Sequence, residues 1–161
     1  MPSGSTHLKI EGGLLFGWIA LAGYLLSKGA IGADAVAAFA FAYSFSMLFL
    51  SPDLDLTTSK AFRRWGIVRW IWAPYARAFR HRRLSHHPIF GPLTRIVYLG
   101  AICALAGFGL FLALGRPLRL AAPSALVLVG ALLGLYVPNL THVLADRVVS
   151  LLPKRRGRRR L

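Results

Sequence analysis

Four long stretches of the chain carry no charged side chain: residues 12–27, 35–52, 96–115 and 120–141. Each is close to the ~20 residues with which an α-helix crosses ~30 Å of hydrocarbon, and the first gains length as 8–26 once Lys9 and Glu11 sit at its polar boundary. The pattern therefore predicts about four transmembrane helices, near 8–26, 33–51, 94–114 and 120–140, in an all-α polytopic membrane protein. One such run alone would suit the core helix of a soluble domain; four in 161 residues do not. Small residues in the second run allow close helix approach in lipid. Pro52 ends that run, and Val137-Pro138-Asn139 ends the fourth, after which 140–152 has a helical pattern of its own. No second domain is visible. Residues 1–152 form one membrane domain with a loop at 52–93, and 153–161 form a polybasic tail.

Composition agrees, with 56% hydrophobic residues, only 16% charged ones and a net charge of +15. The charge is unevenly placed. All but three of the 20 Lys and Arg, namely Lys28, Arg116 and Arg119, fall on the side shared by the N-terminus, the 52–93 loop and the C-terminal segment. The positive-inside rule makes that side cytoplasmic, with both termini inside a multi-pass protein of the cell inner (plasma) membrane. A secretory signal is the rival for the N-terminus, with Gly29-Ala30-Ile31-Gly32-Ala33 as a cleavage region, but the positive flank such a signal needs is missing. Within the loop, Lys60, Arg63, Arg64, Arg69 and Arg77 alternate with Trp65, Trp70, Trp72 and Tyr75, as in a segment lying among lipid headgroups. Nucleic acid is the second reading of that patch and is disfavoured between two membrane spans. The polybasic tail reads as an anchor to anionic lipid. Cys103, the single cysteine, reads as packing within the third run.

Acids and histidines number five each, so their positions are informative. Asp53 and Asp55 follow the second run at once. They are unfavourable beside a helix C-terminus and call for a positive partner, a metal or an arginine. Both carboxylates can turn to one cation if the segment after Pro52 is irregular. His142 and Asp146 stand i, i+4 on one helical face, a spacing at which two ligands share a metal, although it is weak as an isolated motif. With four spans, His7, Asp53, Asp55, His81, His86, His142 and Asp146 all emerge on one face of the bilayer. Ionisable groups gathered at a membrane point to function. Imidazole and carboxylate donors together favour Zn, Mn or Fe. Seven candidates exceed the ligands of one ion, so there are two ions or some of the residues orient the others. In a catalytic reading, Arg80, Arg82 and Arg83 hold an anionic, lipid-like ester, and Ser85 is a weak candidate nucleophile.

Met1-Pro2-Ser3-Gly4 with Thr6-His7, Ser51-Pro52-Asp53-Leu54-Asp55, Arg64-Trp65-Gly66, Trp70-Ile71-Trp72-Ala73-Pro74-Tyr75, Arg80-His81-Arg82 with Leu84-Ser85-His86, and His142-Val143-Leu144-Ala145-Asp146 occur in this order. Together they resemble prokaryotic metal-binding integral membrane proteins of uncharacterised function. More distantly, Pro-Asp-x-Asp followed by His-Arg and Ser-His is similar to the YdjM-like membrane-bound metal-dependent hydrolases. The resemblance implies a metal site built from His7, Asp53, Asp55, His81, His86, His142 and Asp146. Ser5 departs from it, standing where a lysine is expected. Two other functions stay open: a non-catalytic metal-binding or metal-sensing membrane protein, and a metal-free membrane lipid phosphatase. The second lacks a Lys-to-Arg-Pro phosphate-binding segment ahead of Pro2-Ser3-Gly4. A transporter is disfavoured because no ionisable residue falls near the middle of a span.

Overall fold

The computed structural model describes residues 4–79, 87–116 and 121–151. Among them the regular elements are all helical. Four long helices, α1 (Gly4–Ser27), α2 (Ala33–Phe49), α5 (Phe90–Leu114) and α6 (Ala125–Leu151), are joined between α2 and α5 by a 3₁₀ turn at Pro52–Asp55, α3 (Lys60–Arg64), a 3₁₀ segment at Gly66–Trp72 and α4 (Ala73–Ala78). Helices α1, α5 and α6 are long and apolar enough to cross a membrane. With 17 residues, α2 extends only ~25 Å and falls short of the 33–51 span expected for it. Its end is set locally. Ser51 precedes Pro52 and is held extended (ψ 148°), and its hydroxyl accepts the Asp53 N–H, so the chain leaves α-geometry at Leu50.

Other helix ends follow from equally local causes. At the close of α1, Gly29 takes φ +68°, its N–H donates to the Leu26 carbonyl, and the Ala30 N–H donates to that of Leu25. That pair of bonds caps the helix and needs a residue tolerant of left-handed backbone. At the start of α5, the Ile89 and Phe90 N–H groups both donate to His87 Nδ1 at 3.2 Å, which gives this histidine a capping job. Ser124 caps α6, accepting the Val127 N–H at 3.3 Å, so that helix starts five residues later than the run beginning at 120 suggests.

The helix α6 also continues through Pro138, where the sequence pattern breaks it in two. The proline removes the donor to the Gly134 carbonyl, and polar side chains gather at the next carbonyl along the helix. The Leu135 carbonyl accepts from Ser46 Oγ at 2.7 Å and from Asn139 Nδ2 at 2.8 Å, so side chains of α2 and α6 serve the backbone next to the proline. Continuity of α6 carries His142 and Asp146 on the same rod that packs along α2.

Helices α2 and α6 form the principal pair, with α1 against α2 and α5 at the edge of α6. A second packing centre lies below α2, where Leu50, Leu54, Ala61, Phe62, Trp72 and Tyr75 are buried together. The 52–93 segment is therefore more than a headgroup-layer loop. Trp70 is 64% exposed, but Trp72 is fully buried, and Trp65 donates its indole N–H to the Phe49 carbonyl at 2.9 Å. Cys103 is exposed rather than packed, because α5 buries only Gly91, Pro92 and Arg95, near its start. Large apolar side chains such as Phe16 (80%), Phe41 (76%) and Leu105 (71%) point outward from the long helices. Exposed apolar surface of this extent marks contact with lipid or another apolar partner.

Candidate metal centre

In α1, His7 and Glu11 are four residues apart, and so are His142 and Asp146 in α6. Each pair therefore shares one helical face. The two faces meet in antiparallel register. His7 Nε2 lies 3.1 Å from Asp146 Oδ1, and His142 Nδ1 lies 3.0 Å from Glu11 Oε1. The imidazole rings stack with centroids 3.7 Å apart and planes inclined by 13°. All four side chains are buried. One donor atom from each of His7, Glu11 and His142 lies within 4.8 Å of the other two.

A polar framework holds these faces in place. The Tyr43 hydroxyl donates to the Glu11 backbone carbonyl at 2.9 Å and so ties α1 to α2 at the level of the acid. Three residues before His142, Asn139 donates to Ser46 Oγ at 2.8 Å and accepts from Arg95 Nη2 at 2.7 Å. Helices α2, α5 and α6 are thus joined directly beneath the histidine. Such a network costs desolvation of the Arg95 charge and gives in return a single register between the helices.

The donor set suits a metal ion. His7 Nδ1 is buried and has no hydrogen-bond partner among the described residues, while the other ring nitrogen faces a carboxylate. An imidazole whose outer N–H is taken up by a carboxylate is oriented to ligate through its inner nitrogen. Two imidazoles and one carboxylate form a borderline N/O set that fits Zn and neighbouring divalent ions better than Ca or a thiolate-selected metal.

The sequence candidates divide between places. His7 and His142 come together as donors, and Asp146 stands behind His7. Asp53 is half-buried and lines a cavity of about 290 Å³ along with His7, Glu11 and His142. Asp55 is not on that wall. It is buried, and its charge acts on Arg95 and Tyr75, so an arginine is the positive partner within its reach. The divergence follows from the regular 3₁₀ turn at Pro52–Asp55, which aims i and i+2 in different directions where an irregular segment would let them converge. Burial pushes the Tyr75 hydroxyl above its usual range, against the opposing pull of Arg95. His81 and His86, with Arg80, Arg82, Arg83 and Ser85, lie outside the described residues.

Sequence reasoning placed Glu11 at a helix boundary and missed it as a donor. The signal was present: His7-x-x-x-Glu11 mirrors His142-x-x-x-Asp146, and two such pairs on antiparallel helices satisfy one another crosswise.

Among the described residues, an all-helical bundle with a buried two-imidazole, one-carboxylate set at one end defines a helical protein with a candidate metal site. In agreement, the chain belongs to the family described as uncharacterized metal-binding protein (DUF2227), which it matches over residues 2–156. It is similar to an uncharacterized protein of Aquifex aeolicus (strain VF5), 45% identical over 51 residues, which are 32% of this chain and 36% of that protein. The match thus spans about a third of the relative's length. No solved structure matches the chain.

Proposed function

We propose that the protein is an integral membrane protein that holds a divalent transition-metal ion, Zn, Mn or Fe, at the cytoplasmic boundary of its helices. His7, Glu11 and His142 are the donors, Asp53 closes the set from the segment after α2, and Asp146 orients His7. The observation that carries this reading is the buried crosswise pairing of the two His-x-x-x-acid faces, which leaves His7 Nδ1 without a hydrogen-bond partner among the described residues. Length and outward apolar surface of α1, α5 and α6 support the membrane, and the skewed distribution of Lys and Arg supports cytoplasmic termini. His81 and His86 stay in the proposal as further ligands from the loop, and Asp55 as a group that supports it through Arg95. Metal analysis of detergent-purified protein tests the assignment. Wild type is expected to hold stoichiometric metal, and His142→Ala and Glu11→Ala to lose it; equal metal in all three would refute the donor set. Reporter fusions at Gly29 and Leu161 test the topology, with activity on the outer side expected only at Gly29.

A hydrolytic role is the second reading, favoured by the cavity that opens beside the donors and by the distant resemblance of the Pro-Asp-x-Asp, His-Arg and Ser-His motifs to those of YdjM-like hydrolases. A bound divalent ion supplies Lewis acidity and a water of lowered pKa. In this reading Asp53 accepts the proton, and Lys60 and Arg64, which line the same cavity, engage an anionic ester. Arg80, Arg82 and Ser85 are further contributors from the loop. Turnover of short-chain phosphoesters and carboxylesters in neutral detergent decides between the readings: stoichiometric metal without turnover of any substrate leaves a metal-binding or metal-sensing protein.

A further inference from the structure

The cavity beside the donor set has three chemically different kinds of lining. His7, Glu11, His142 and Asp53 are the first. Lys60 and Arg64, i, i+4 on α3 and both exposed, are the second. The third is apolar: Leu8 of α1, Met47 of α2 and Leu56. One guanidinium nitrogen of Arg64 donates to the Leu48 carbonyl at 3.0 Å, which fixes the group at the end of α2, and its charge reaches Glu11.

Charge balance gives this cavity an order of filling. Among the residues lining the cavity, the carboxylates of Glu11 and Asp53 match the cations of Lys60 and Arg64 in number, so an entering anion finds no net attraction in the metal-free site. A divalent ion at the donor set makes the lining net positive. We propose that Lys60 and Arg64 form a subsite for the phosphomonoester headgroup of an amphiphile, which binds after the metal; this rests on the metal-centre reading above. A phosphomonoester carries a charge of about −1.5 to −2 near neutral pH on three acceptor oxygens, enough to engage an ammonium, a guanidinium and a metal together. A monovalent carboxylate satisfies fewer of them. The volume of about 290 Å³ suits a headgroup and not a whole lipid, so the chain leaves along Leu8 and Met47, which belong to the outward apolar helices α1 and α2.

The test measures binding of dihexanoyl phosphatidic acid to the full-length protein in neutral detergent by titration calorimetry, with metal content read in parallel. Zinc-loaded wild type is expected to bind it. Lys60→Met and Arg64→Met are each expected to bind about ten- to a hundred-fold more weakly with metal content unchanged, the loss of one charge-assisted contact. Lys60→Arg is expected to restore affinity, which guards against a folding defect. Chelator-stripped protein is expected to bind at least about tenfold more weakly, from loss of the metal's positive charge. Unchanged affinity in both Met variants overturns the subsite. Inorganic phosphate binding as tightly as the lipid overturns the amphiphile, and decanoate binding as tightly overturns the phosphomonoester class. Wild type that holds no metal refutes the metal centre and the metal-first order together. Wild type that holds metal but binds lipid independently of Lys60 and Arg64 refutes the subsite alone.

Discussion

The close approach of α2 and α6 at Gly134 makes a demanding prediction. A Cβ at Gly134 would lie 2.5 Å from the Phe39 carbonyl oxygen, 2.8 Å from the Tyr43 nitrogen and 2.9 Å from the Ala42 Cβ, where ordinary contact begins near 3.4 Å. Two of these neighbours are α2 backbone, so Gly134→Ala cannot be relieved by a rotamer change, and α2 must move from α6 by about 1 Å. Overpacking of this kind costs ~1–3 kcal/mol, which outweighs the ~0.5–1 kcal/mol that alanine gains over glycine in a helix. Separation also strains the Ser46 to Leu135 bond one residue away, and displaces His142, eight residues or ~12 Å along the same helix. The control is Gly109→Ala on α5, which meets no atom within 4 Å and should be neutral or slightly stabilising. Thermal unfolding in detergent, with metal affinity measured on the same samples, reads both effects. A Gly134→Ala protein as stable as Gly109→Ala would show that α2 and α6 do not pack at this distance.

Further consequences follow from individual contacts. Asp146→Asn should weaken metal binding about ten- to a hundred-fold without abolishing it, because His7 loses its charged orienting partner; competition with a chromogenic chelator measures this. Arg95→Met should destabilise the fold by ~1.5–3 kcal/mol through loss of its bond to Asn139, read from chemical denaturation in detergent. Tyr75 ionises above the ordinary tyrosine value of 10.0, since burial disfavours the phenolate. Its folded value exceeds its unfolded one, so its contribution is intact below about pH 10 and is lost as pH rises beyond it. The difference in ultraviolet titration between wild type and Tyr75→Phe should therefore show a late phenolate, and ionisation at or below pH 10 would contradict its burial.

Much of this protein is legible in one dimension. A helix in an apolar setting satisfies its own backbone, so a long uncharged run suffices to predict it, and α1 and α5 follow from hydropathy to within four residues at their ends, whereas α6 starts five residues after the start of the expected 120–140 run and continues eleven beyond its end. Alternation of helix direction also accounts for His7, Asp53 and His142 sharing one end, since His7 stands at the start of the first long helix, Asp53 after the second and His142 toward the end of the fourth. Periodicity stops short of the pairings. Glu11 becomes a partner of His142, 131 residues away, only through the antiparallel register of α1 and α6, each of which is held to α2: α6 by close approach at Gly130 and Gly134 and the Ser46 and Asn139 bonds, α1 by the Tyr43 bond. Asp53 and Asp55 look equivalent in sequence, yet a 3₁₀ turn sends one to the cavity and the other toward Arg95. Trp72 belongs to a compositional class that favours the membrane interface, and burial against Leu50, Leu54 and Tyr75 overrides that preference. Local pattern determines which segments are helices and at which end their polar groups emerge; which of those groups touch depends on helix register and backbone approach to within an ångström, and only the tertiary packing decides that.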